Sequence, residues 1–399
     1  MRKNRYKIAV LPGDGIGPEC VGEAVRLLEA MSEVVDWELE LQEVLIGGAA
    51  LDAVGSPLPQ ESLDACMESD AVLLGAVGGP KWDGVELAQR PEAGLLKLRQ
   101  QMDLFANLRP MRLRPDWSTR SPLRPEVIGG GIDILVVREL TSGIYYGEHG
   151  QSVDEDGERA FDTMNYSEAE IDRLVRLAFE TARRRRRRVA EIDKSNVLAT
   201  SRLWRKVTDR IAGEYPDVAV EYLYVDSGAM ELVREPGRFD VIVTENMFGD
   251  ILSDLGAGLV GSIGLMPSAS LSMPGRPALY EPVHGSAPSI AGQGISNPIG
   301  TILSVAMMMR HSFGREREAQ AIEGAVDEVL REGPWTPDVA PPGAAPASTD
   351  VVGSAIRRRV VQRLNPGRRE NGNMNGSREE GAYGYRAQAA SGDGVAAGR

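Results

Sequence analysis

Short apolar runs alternate along most of the chain with segments in which apolar residues recur every three to four positions. The runs predict strands at residues 8–11, 71–74, 132–137, 189–192, 218–225 and 241–243. The longer periodicity predicts helices at residues 18–31, 93–101, 168–184, 201–213, 299–313, 315–331 and 351–364. Alternation of this kind predicts an α/β protein whose strands are mostly buried.

Length and composition fit a globular protein. A chain of 399 residues, 42% of them hydrophobic, is long enough for two domains with sizeable cores. No apolar run approaches the roughly 20 residues that a membrane span needs. The two cysteines, Cys20 and Cys66, argue against a disulfide framework and for a reducing cytoplasm. From about residue 365 large aliphatic residues become scarce, which predicts a disordered tail over residues 366–399.

Charge excludes one class of partner. The net charge of −13 disfavours nucleic acid as a general partner. Six consecutive arginines, Arg183 to Arg188, are the exception, since such a run can be a nucleic-acid patch or a targeting signal. They end an amphipathic helical pattern, and cations suit a helix C-terminus. We therefore interpret the run as a solvated helix end.

The stretch N-M-F-G-D-I-L-S-D at residues 246–254 carries the most informative pair of side chains. In a helix, Asp250 and Asp254 lie one turn apart on the same face, with the flexible Gly249 just before them. Two unpaired carboxylates at that spacing repel by a few tenths of a kcal/mol. A divalent metal with oxygen ligands would remove the repulsion. A surface helix with two solvated acids is the alternative.

Two glycine-rich turns follow predicted strands. The turn at residues 13–19 opens a helix, but the third glycine of a Rossmann fingerprint would fall on Pro18, and no clear ribose-binding acid follows the next strand. A tight turn into a helix explains it, with a phosphate cradle as the alternative. The turn at residues 75–83 lies where ligands bind in α/β sheets, although an ordinary turn fits as well.

Charged residues follow several strands. Arg138 ends a buried strand, where an arginine is costly unless it meets an anion. Together with Arg99 and Arg109 it would suit a di- or tricarboxylate, although each alone can be a structural ion pair. Lys194 also follows a strand and could act as a base. His284 lies in a loop of small residues whose amides can approach a phosphate or an adenine, without the spacing of a zinc site or a Ser-His-Asp hydrolase.

Seven motifs, in order and at family-like separations, closely resemble the isopropylmalate dehydrogenases of the isocitrate/isopropylmalate dehydrogenase family. The resemblance covers residues 8 to about 364. The motifs are L-P-G-D-G-I-G-P-E, V-G-G-P-K-W-D, D-L-F-A-N-L-R-P, V-R-E-L-T-S-G-I-Y-Y-G-E, D-K-S-N-V-L, N-M-F-G-D-I-L-S-D and E-P-V-H-G-S-A-P. The resemblance implies an isopropylmalate dehydrogenase-like two-domain α/β fold with a large mixed sheet flanked by helices, and not a Rossmann fold.

The implied activity is NAD-dependent oxidation and decarboxylation of (2R,3S)-3-isopropylmalate to 4-methyl-2-oxopentanoate and CO₂, a step of leucine biosynthesis. A cofactor-side domain would comprise residues 1–104 plus 261–365. Residues 105–260 would bind substrate and metal and form the dimer. The resemblance implies a homodimer whose active site is shared, with Lys194 and Asp226 supplied by the second subunit.

The resemblance also implies groups of site residues that bind substrate, metal and cofactor and transfer protons. Lys194 would accept the hydroxyl proton and Tyr145 would return a proton to carbon. Asp226, Asp250 and Asp254 would hold Mg²⁺ or Mn²⁺. The implied substrate-binding residues are Arg99, Arg109, Arg138, Asp226, Leu95, Leu96 and Glu92. The implied cofactor-binding residues are Gly78, Gly79, Pro80, Lys81, Trp82, Glu281, His284, Gly285, Ser286, Ala287, Ser289 and Asn297.

Substrate and cofactor preference depend on a few positions. Leu95 and Leu96 lie about one turn before Arg99, and burying a third carboxylate against two leucines costs several kcal/mol unless it is paired. Isopropylmalate therefore fits better than isocitrate. The acid that in the family usually follows H-G-S-A-P is Ser289 here, so we expect NAD with weaker discrimination against NADP. Small residues at 227–228, beside Asp226, could loosen the site or mark a paralogue with another substrate.

Other members of the family remain as alternatives. Dehydrogenases of tartrate, methylmalates or homoisocitrate share the same chemistry. A non-catalytic regulatory subunit is an alternative of a different class. It would have no need for an intact Lys194, Tyr145 and all three aspartates, so we favour the enzyme.

Overall fold

The computed structural model describes residues 4–366, and a ten-stranded sheet runs through them. Every predicted strand is present, although the run 218–225 ends early because Val225 begins a helix. Most of the predicted tail, residues 367–399, lies outside the described residues. The strands are β1 (Arg5–Gly13), β2 (Glu38–Glu43), β3 (Ala71–Ala76), β4 (Ala106–Leu113), β5 (Ile132–Glu139), β6 (His149–Asp154), β7 (Gly157–Asp162), β8 (Arg188–Asp193), β9 (Ala219–Tyr224), β10 (Val241–Thr244), β11 (Pro267–Leu271) and β12 (Ala278–Pro282).

The sheet is mixed, with the order β2-β1-β3-β12-β11-β4-β5-β10-β8-β9. Strand β4 pairs antiparallel with both neighbours, β5 and β11, and β11 is also antiparallel to β12. The remaining pairs in the sheet are parallel. Strands β6 and β7 form a separate two-stranded sheet. This architecture confirms the expected large mixed sheet and differs from the mostly parallel sheet of a Rossmann fold.

Helices flank the sheet, and each predicted helix is present within a few residues of its predicted bounds. None in residues 4–366 is long and apolar enough to cross a membrane. The helices are α1 (Gly17–Ser32), α2 (Gly47–Val54), α3 (Gln60–Met67), α4 (Pro91–Gln101), α5 (Pro125–Ile128), α6 (Glu168–Arg183), α7 (Ala199–Ala212), α8 (Val225–Arg234), α9 (Asn246–Val260), α10 (Ile299–His311), α11 (Glu316–Glu332) and α12 (Thr349–Leu364).

Helix α6 shows how local sequence determines an element. The hydroxyl of Ser167 accepts from the amide of Glu170, whose carboxylate accepts from the Ser167 amide, and this capping box starts the helix. The helix ends at Arg183, as predicted for the arginine run. The run is more than solvated, because Arg185 and Arg186 both pair with the buried Asp240. Its charges therefore stabilise the chain where it enters β8.

Parallel strands bring their carboxyl ends together, which places the polar residues after them at one edge. Strands β5, β10 and β8 are neighbours and run parallel. Residues 4–365 belong to one compact unit, and the pairing of β11 with β4 continues the sheet across the predicted domain boundary. The division into residues 1–104 plus 261–365 and residues 105–260 stays a prediction.

Candidate active site

Three buried arginines converge on one face of the sheet. Across the β4–β5 ladder, Asn107 is opposite Arg138, and Arg109 is opposite Val136. Since directly opposite side chains share a face and residues two apart on a strand share it too, Arg109 and Arg138 point the same way. Arg99 approaches from α4. The exposed fraction is only 8% for Arg99, 6% for Arg109 and 1% for Arg138.

Burial beside like charges lowers the pKa of two of the three arginines, whereas at Arg99 the carboxylate of Glu281 outweighs burial and raises the pKa. Burial and the neighbouring charge of Arg109 lower the pKa of Arg138 to about 10, although the carboxylate of Asp250 opposes the change. Burial and the charge of Arg99 lower the pKa of Arg109 as well, against the pull of Asp250. A bound anion would relieve this repulsion, so the cluster fits a ligand with two carboxylates.

The two aspartates of α9 lie on one helical face, as their spacing predicted, and they face these arginines. Oδ1 of Asp250 is 2.5 Å from a guanidinium nitrogen of Arg138 and 3.1 Å from one of Arg109. Asp254 lies 3.7 Å from Arg109. Burial raises the pKa of Asp250, but the charges of Arg138 and Arg109 outweigh it and leave that pKa below its usual value. Guanidinium groups thus offset the repulsion at Asp250, whereas burial and the charge of Asp250 leave the pKa of Asp254 raised despite Arg109.

Gly249 is a close-packing position and not a flexible hinge, which corrects the interpretation of the sequence. It lies in the first turn of α9, where a Cβ atom would be 2.5 Å from Cγ of Arg138. The helix start is held by Glu245, whose carboxylate accepts from the amides of Met247 and Phe248. Absence of a side chain at 249 lets α9 approach β5 closely enough for Asp250 to reach Arg138.

Tyr145 joins the same cluster. It ends the short turn Gly143–Tyr145, and its hydroxyl donates to Oδ2 of Asp250 at 3.0 Å. The guanidinium carbon of Arg138 lies 5.7 Å from the centre of its ring. Burial and the charge of Asp250 raise the pKa of Tyr145 to about 12. The hydroxyl is therefore protonated at neutral pH and available as a proton donor.

Lys194 and Asp226 form a separate pair. Lys194 follows β8, and Asp226 lies in the first turn of α8, where their side chains are 2.5 Å apart. The hydrogen bond from Lys194 lowers the pKa of Asp226. Across residues 4–366, no three His, Cys, Asp or Glu side chains come together in a way that could hold a metal ion. Asp226 therefore does not complete a metal site with Asp250 and Asp254 of its own chain.

Gly228, two residues after Asp226, has a packing role. Gly228 is buried in α8, and a Cβ atom there would lie 2.8 Å from Cδ1 of Ile192 in β8. A glycine at this position lets α8 approach the strand that ends beside Lys194. Gly228 thus affects how Asp226 is held.

Helix α4 carries the residues expected to contact the non-carboxylate part of the substrate. Leu95 and Leu96 are half-buried, one turn before Arg99. The carbonyl of Leu96 accepts from the hydroxyl of Tyr146 at 3.2 Å, which fixes the helix beside the arginines. Glu92 is exposed at the start of α4 and lies against the glycine turn, because a Cβ on Gly78 would be 2.3 Å from its carboxylate.

The two glycine turns lie together, and Asp14 joins them. Its carboxylate accepts from the amides of Gly48 at 2.7 Å and Gly78 at 2.8 Å. The amide of Ile16 donates to the carbonyl of Ser286 at 2.8 Å. These polar groups are used within the protein. The turn at residues 13–19 therefore supports the neighbouring loops, which favours the interpretation as a tight turn over a phosphate cradle.

The turn that follows β3 is held from one side. Gly78 and Gly79 have φ angles of 101° and 157°, which glycine adopts more readily than other residues. Lys81 forms an ion pair with Asp52 of α2, and Nε1 of Trp82 donates to the same carboxylate at 3.1 Å. Those contacts hold the turn against α2.

The loop after β12 supplies the remaining cofactor candidates. Glu281, in β12 just before this loop, pairs with Arg99 at 2.6 Å and so joins the substrate side to the loop. Within the described residues, Nε2 of the buried His284 has no hydrogen-bond partner, and burial lowers its pKa. Ser289 is exposed, whereas Asn297 donates to Asp338 at 2.9 Å. A neutral imidazole with a free nitrogen fits a polar group of a bound ligand.

Several residues that organise the site were missed from the sequence. Asn107 and Asn246 are fully buried, and each accepts a hydrogen bond from an arginine of the cluster, Arg109 and Arg138 respectively. Both belong to the quoted motifs, so an asparagine next to a functional residue was the available signal. Tyr166, which contacts Asn246, gave no such signal, because it lies outside every motif.

Comparison with known proteins gives one consistent result. The model of the family described as isocitrate/isopropylmalate dehydrogenase matches residues 7–356. The 3-isopropylmalate dehydrogenase of Moorella thermoacetica is 56% identical over 358 residues, covering 90% of this chain and 99% of its own length. That of Chromohalobacter salexigens is 55% identical, covering 88% of this chain and 97% of its own length.

Solved structures agree at the level of the fold. An isocitrate dehydrogenase from Methylococcus capsulatus has a TM-score of 0.80 at 37% identity, covering 90% of this chain and 100% of that one. A β-decarboxylating dehydrogenase from Thermococcus kodakarensis has a TM-score of 0.71 at 35% identity, covering 92% and 99%.

Proposed function

Since the chain belongs to the isocitrate/isopropylmalate dehydrogenase family, we propose that it oxidises (2R,3S)-3-isopropylmalate with NAD and releases CO₂ to give 4-methyl-2-oxopentanoate. This reaction would serve leucine biosynthesis in the cytoplasm. The observation that carries the proposal is the combination on α4 of a half-buried leucine pair with Arg99. Leu95 and Leu96 suit an isopropyl group beside carboxylates bound by arginine, and the two relatives above bear the name of this activity.

Each arginine has a distinct place in substrate binding. Arg109 and Arg138 would bind the carboxylates from β4 and β5, and Arg99 would bind from α4, with Glu281 balancing its charge. Their burial removes competing water, which strengthens charge-assisted hydrogen bonds to a carboxylate. The substrate hydroxyl would then face Asp250 and Asp254.

The residues present fit a divalent metal, and Mg²⁺ or Mn²⁺ would be held by Asp250, Asp254 and Asp226 of the second subunit. All three supply the hard oxygen ligands that these ions prefer. When bound, the ion would polarise the substrate hydroxyl and the carbonyl formed from it. Asp250 and Asp254 orient their carboxylates toward the arginine cluster, so a substrate carboxylate bound there lies near these ligands.

Proton transfer would be divided between two residues. Lys194 of the second subunit would accept the hydroxyl proton as hydride leaves the same carbon for NAD. After loss of CO₂, Tyr145 would donate its proton to the carbon that carried the lost carboxylate. Its pKa of about 12 keeps the hydroxyl protonated until that step.

The cofactor site would take NAD, in contact with the turn after β3 and the loop after β12. His284 offers a free ring nitrogen, and Glu92, in the first turn of α4, lies against Gly78. Exposed Ser289 would neither repel nor pair with a 2′-phosphate, so discrimination against NADP is expected to be weak. A kcat/KM for NADP above that for NAD would contradict the assignment of NAD.

Exposed apolar side chains support a homodimer. On α9, beside the metal candidates, Ile251 is 57% exposed, and on α8 Met230 is 48% exposed. The separate two-stranded sheet exposes Val153 and Phe161, at 77% and 53%. Apolar groups in this number and position are typical of a surface that another subunit covers.

The decisive experiment measures NADH formation with each of four substrates. Purified protein is assayed with 3-isopropylmalate, isocitrate, tartrate and homoisocitrate, with and without Mn²⁺, and kcat/KM is compared. We expect 3-isopropylmalate to be the best substrate and activity to require the metal. A higher kcat/KM with another hydroxy acid would transfer the assignment to that substrate, and no turnover with any would favour a regulatory role.

A further inference from the structure

A buried polar network centred on Tyr166 lies behind the arginine–aspartate cluster. Tyr166 is 5% exposed, and its hydroxyl accepts from the backbone amide of Asn246 at 3.0 Å. The same hydroxyl can donate to Oε2 of Glu245 at 3.2 Å or of Glu139 at 3.5 Å. Its ring packs edge-on against Trp204, with centroids 5.5 Å apart. One hydroxyl group therefore connects α9, the end of β5 and the segment before α6.

One branch of this network ends at Arg138. Oδ1 of Asn246 accepts from Nη2 and Nε of Arg138, at 2.8 and 3.2 Å, and Nδ2 donates to the carbonyl of Ser142 at 3.0 Å. Because the guanidinium is planar, two bonds to one side of it fix its orientation. The remaining Nη1 then faces Asp250 at 2.5 Å. Displacement of Asn246 would rotate the group that is proposed to bind the substrate.

The other branch ends at Tyr145. The carboxylate of Glu139 accepts from the amides of Thr141 and Ser142, at 2.9 and 3.0 Å, and so holds the segment that leads into the turn. Gly143 starts the turn with φ of 78°, and a Cβ there would lie 2.2 Å from the Tyr166 hydroxyl. The hydroxyl thus packs directly on the turn that presents Tyr145.

We propose that Tyr166 is a positioning residue that holds the carboxylate-binding Arg138 and the proton donor Tyr145 in register. The inference rests on the roles given to those two residues in the proposed function. Tyr166 itself is buried behind the cluster and has no place in the proposed substrate or cofactor contacts. Without its hydroxyl, the buried amide of Asn246 loses its acceptor, and both branches can shift. Since misplacement by about 1 Å can lower a rate about 100-fold, we expect Tyr166→Phe to lower kcat/KM about 10- to 100-fold.

The matched control is Tyr215→Phe. Tyr215 is also buried, at 7% exposure, and its hydroxyl donates to Glu180 of α6 at 2.9 Å. Its ring contacts Arg183, which is not one of the three arginines of the site. We expect Tyr166→Phe to lower kcat and to raise KM for the hydroxy acid while KM for NAD stays unchanged. Tyr215→Phe should leave all three at wild-type values. A general loss of structure would change KM for NAD as well, and wild-type kinetics for Tyr166→Phe would overturn the proposal.

A double-mutant cycle tests the branch to Tyr145. In a Tyr145→Phe background the proton donor is already absent, so Tyr166→Phe should lower kcat by a smaller factor than it does in the wild type. Equal factors in the two backgrounds would show that Tyr166 does not act through Tyr145.

Hydrogen exchange provides a readout that needs no turnover. In Tyr166→Phe, amides at residues 141–146 and 246–250 should exchange faster, whereas those of β1 and α11 should not. Unchanged exchange at both segments would contradict the proposal. The wild-type substrate assay, by contrast, decides the proposed function. If the wild type fails that assay but Tyr166→Phe still exchanges faster at both segments, the positioning role of Tyr166 stands and the assigned reaction is wrong.

Discussion

Two regions of the candidate site differ in how complete they are. In the arginine–aspartate region the three arginines are buried, and they pair with carboxylates from other parts of the chain, those of Asp250, Asp254 and Glu281. The Lys194–Asp226 region is open, with side chains 28% and 66% exposed. Its nearby strand end also exposes Val197 at 63% and Tyr224 at 38%. The comparison teaches that the exposure of this proposed catalytic pair in one chain fits its use in the active site of a second subunit.

Replacement of Lys194 gives the largest expected effect. Lys194→Ala removes the proposed base, so kcat should fall about 10²- to 10⁴-fold while the hydroxy acid still binds. Steady-state assays measure kcat, and titration calorimetry measures the dissociation constant. Lys206→Ala is the matched control, because Lys206 is an exposed lysine that pairs with Glu168 on the surface. An unchanged kcat for Lys194→Ala would refute its assignment as the base.

Mixed dimers test whether the two regions belong to different subunits. Lys194→Ala and Asp250→Asn should each be inactive as homodimers. Co-expression should restore about a quarter of wild-type activity, since half of randomly formed dimers are mixed and each mixed dimer has one intact site. Restoration is measured with 3-isopropylmalate and NAD on protein that carries a different tag on each variant. If both regions served the site of their own chain, the mixed dimers would stay inactive.

Gly249 tests the packing of the buried region. In Gly249→Ala, the added Cβ meets Arg138 at 2.5 Å, so we expect a loss of about 1–3 kcal/mol in the free energy of unfolding and a higher KM for the hydroxy acid. Gly258→Ala, in the same helix, has no atom within 4 Å of the new Cβ. That control should gain about 0.5–1 kcal/mol from helix propensity. Urea unfolding and steady-state kinetics measure both. Equal stability changes in the two variants would exclude a tight contact at 249.

The smallest expected effect on activity comes from Glu191, which controls the pH dependence of stability beneath the open region. Glu191 of β8 is fully buried, and burial raises its pKa to about 8. An unfolded chain ionises this group near pH 4.3, whereas the folded chain keeps it protonated to about pH 8, so stability falls between those values as pH rises. Glu191→Gln should remove that loss, which is at most about 1.4 kcal/mol per pH unit.

Urea unfolding at pH 5, 7 and 9 measures this dependence for the wild type and the variant. Glu38→Gln on the exposed face of β2 is the control, and its pH dependence should match the wild type. Parallel pH profiles for wild type and Glu191→Gln would show that Glu191 is ionised in the folded protein at pH 7.

The elements that sequence predicted best were those with uninterrupted apolar patterns. The run 132–137 became β5 and the pattern at 168–184 became α6. Strand β4 was missed, since Asn107, Arg109 and Pro110 interrupt its apolar residues. The polar side chains of Asn107 and Arg109 are buried because they face the site. Strand β2 was missed for the opposite reason, because glutamates alternate along an exposed surface.

Sequence alone determined the α/β class, the placement of Arg138 at the carboxyl end of a buried strand, where it proved to be the next-to-last residue of β5, and the common face of Asp250 and Asp254. Those properties are local, since strand alternation and helical periodicity act over a few residues. Tertiary structure decided the partners. Asp250 meets Arg138 and Arg109, which lie 112 and 141 positions away in the chain, whereas Lys194 pairs with Asp226 instead. Gly249 likewise became a contact position only when α9 packed on β5, because no local pattern specifies which distant side chain will fill the space beside it.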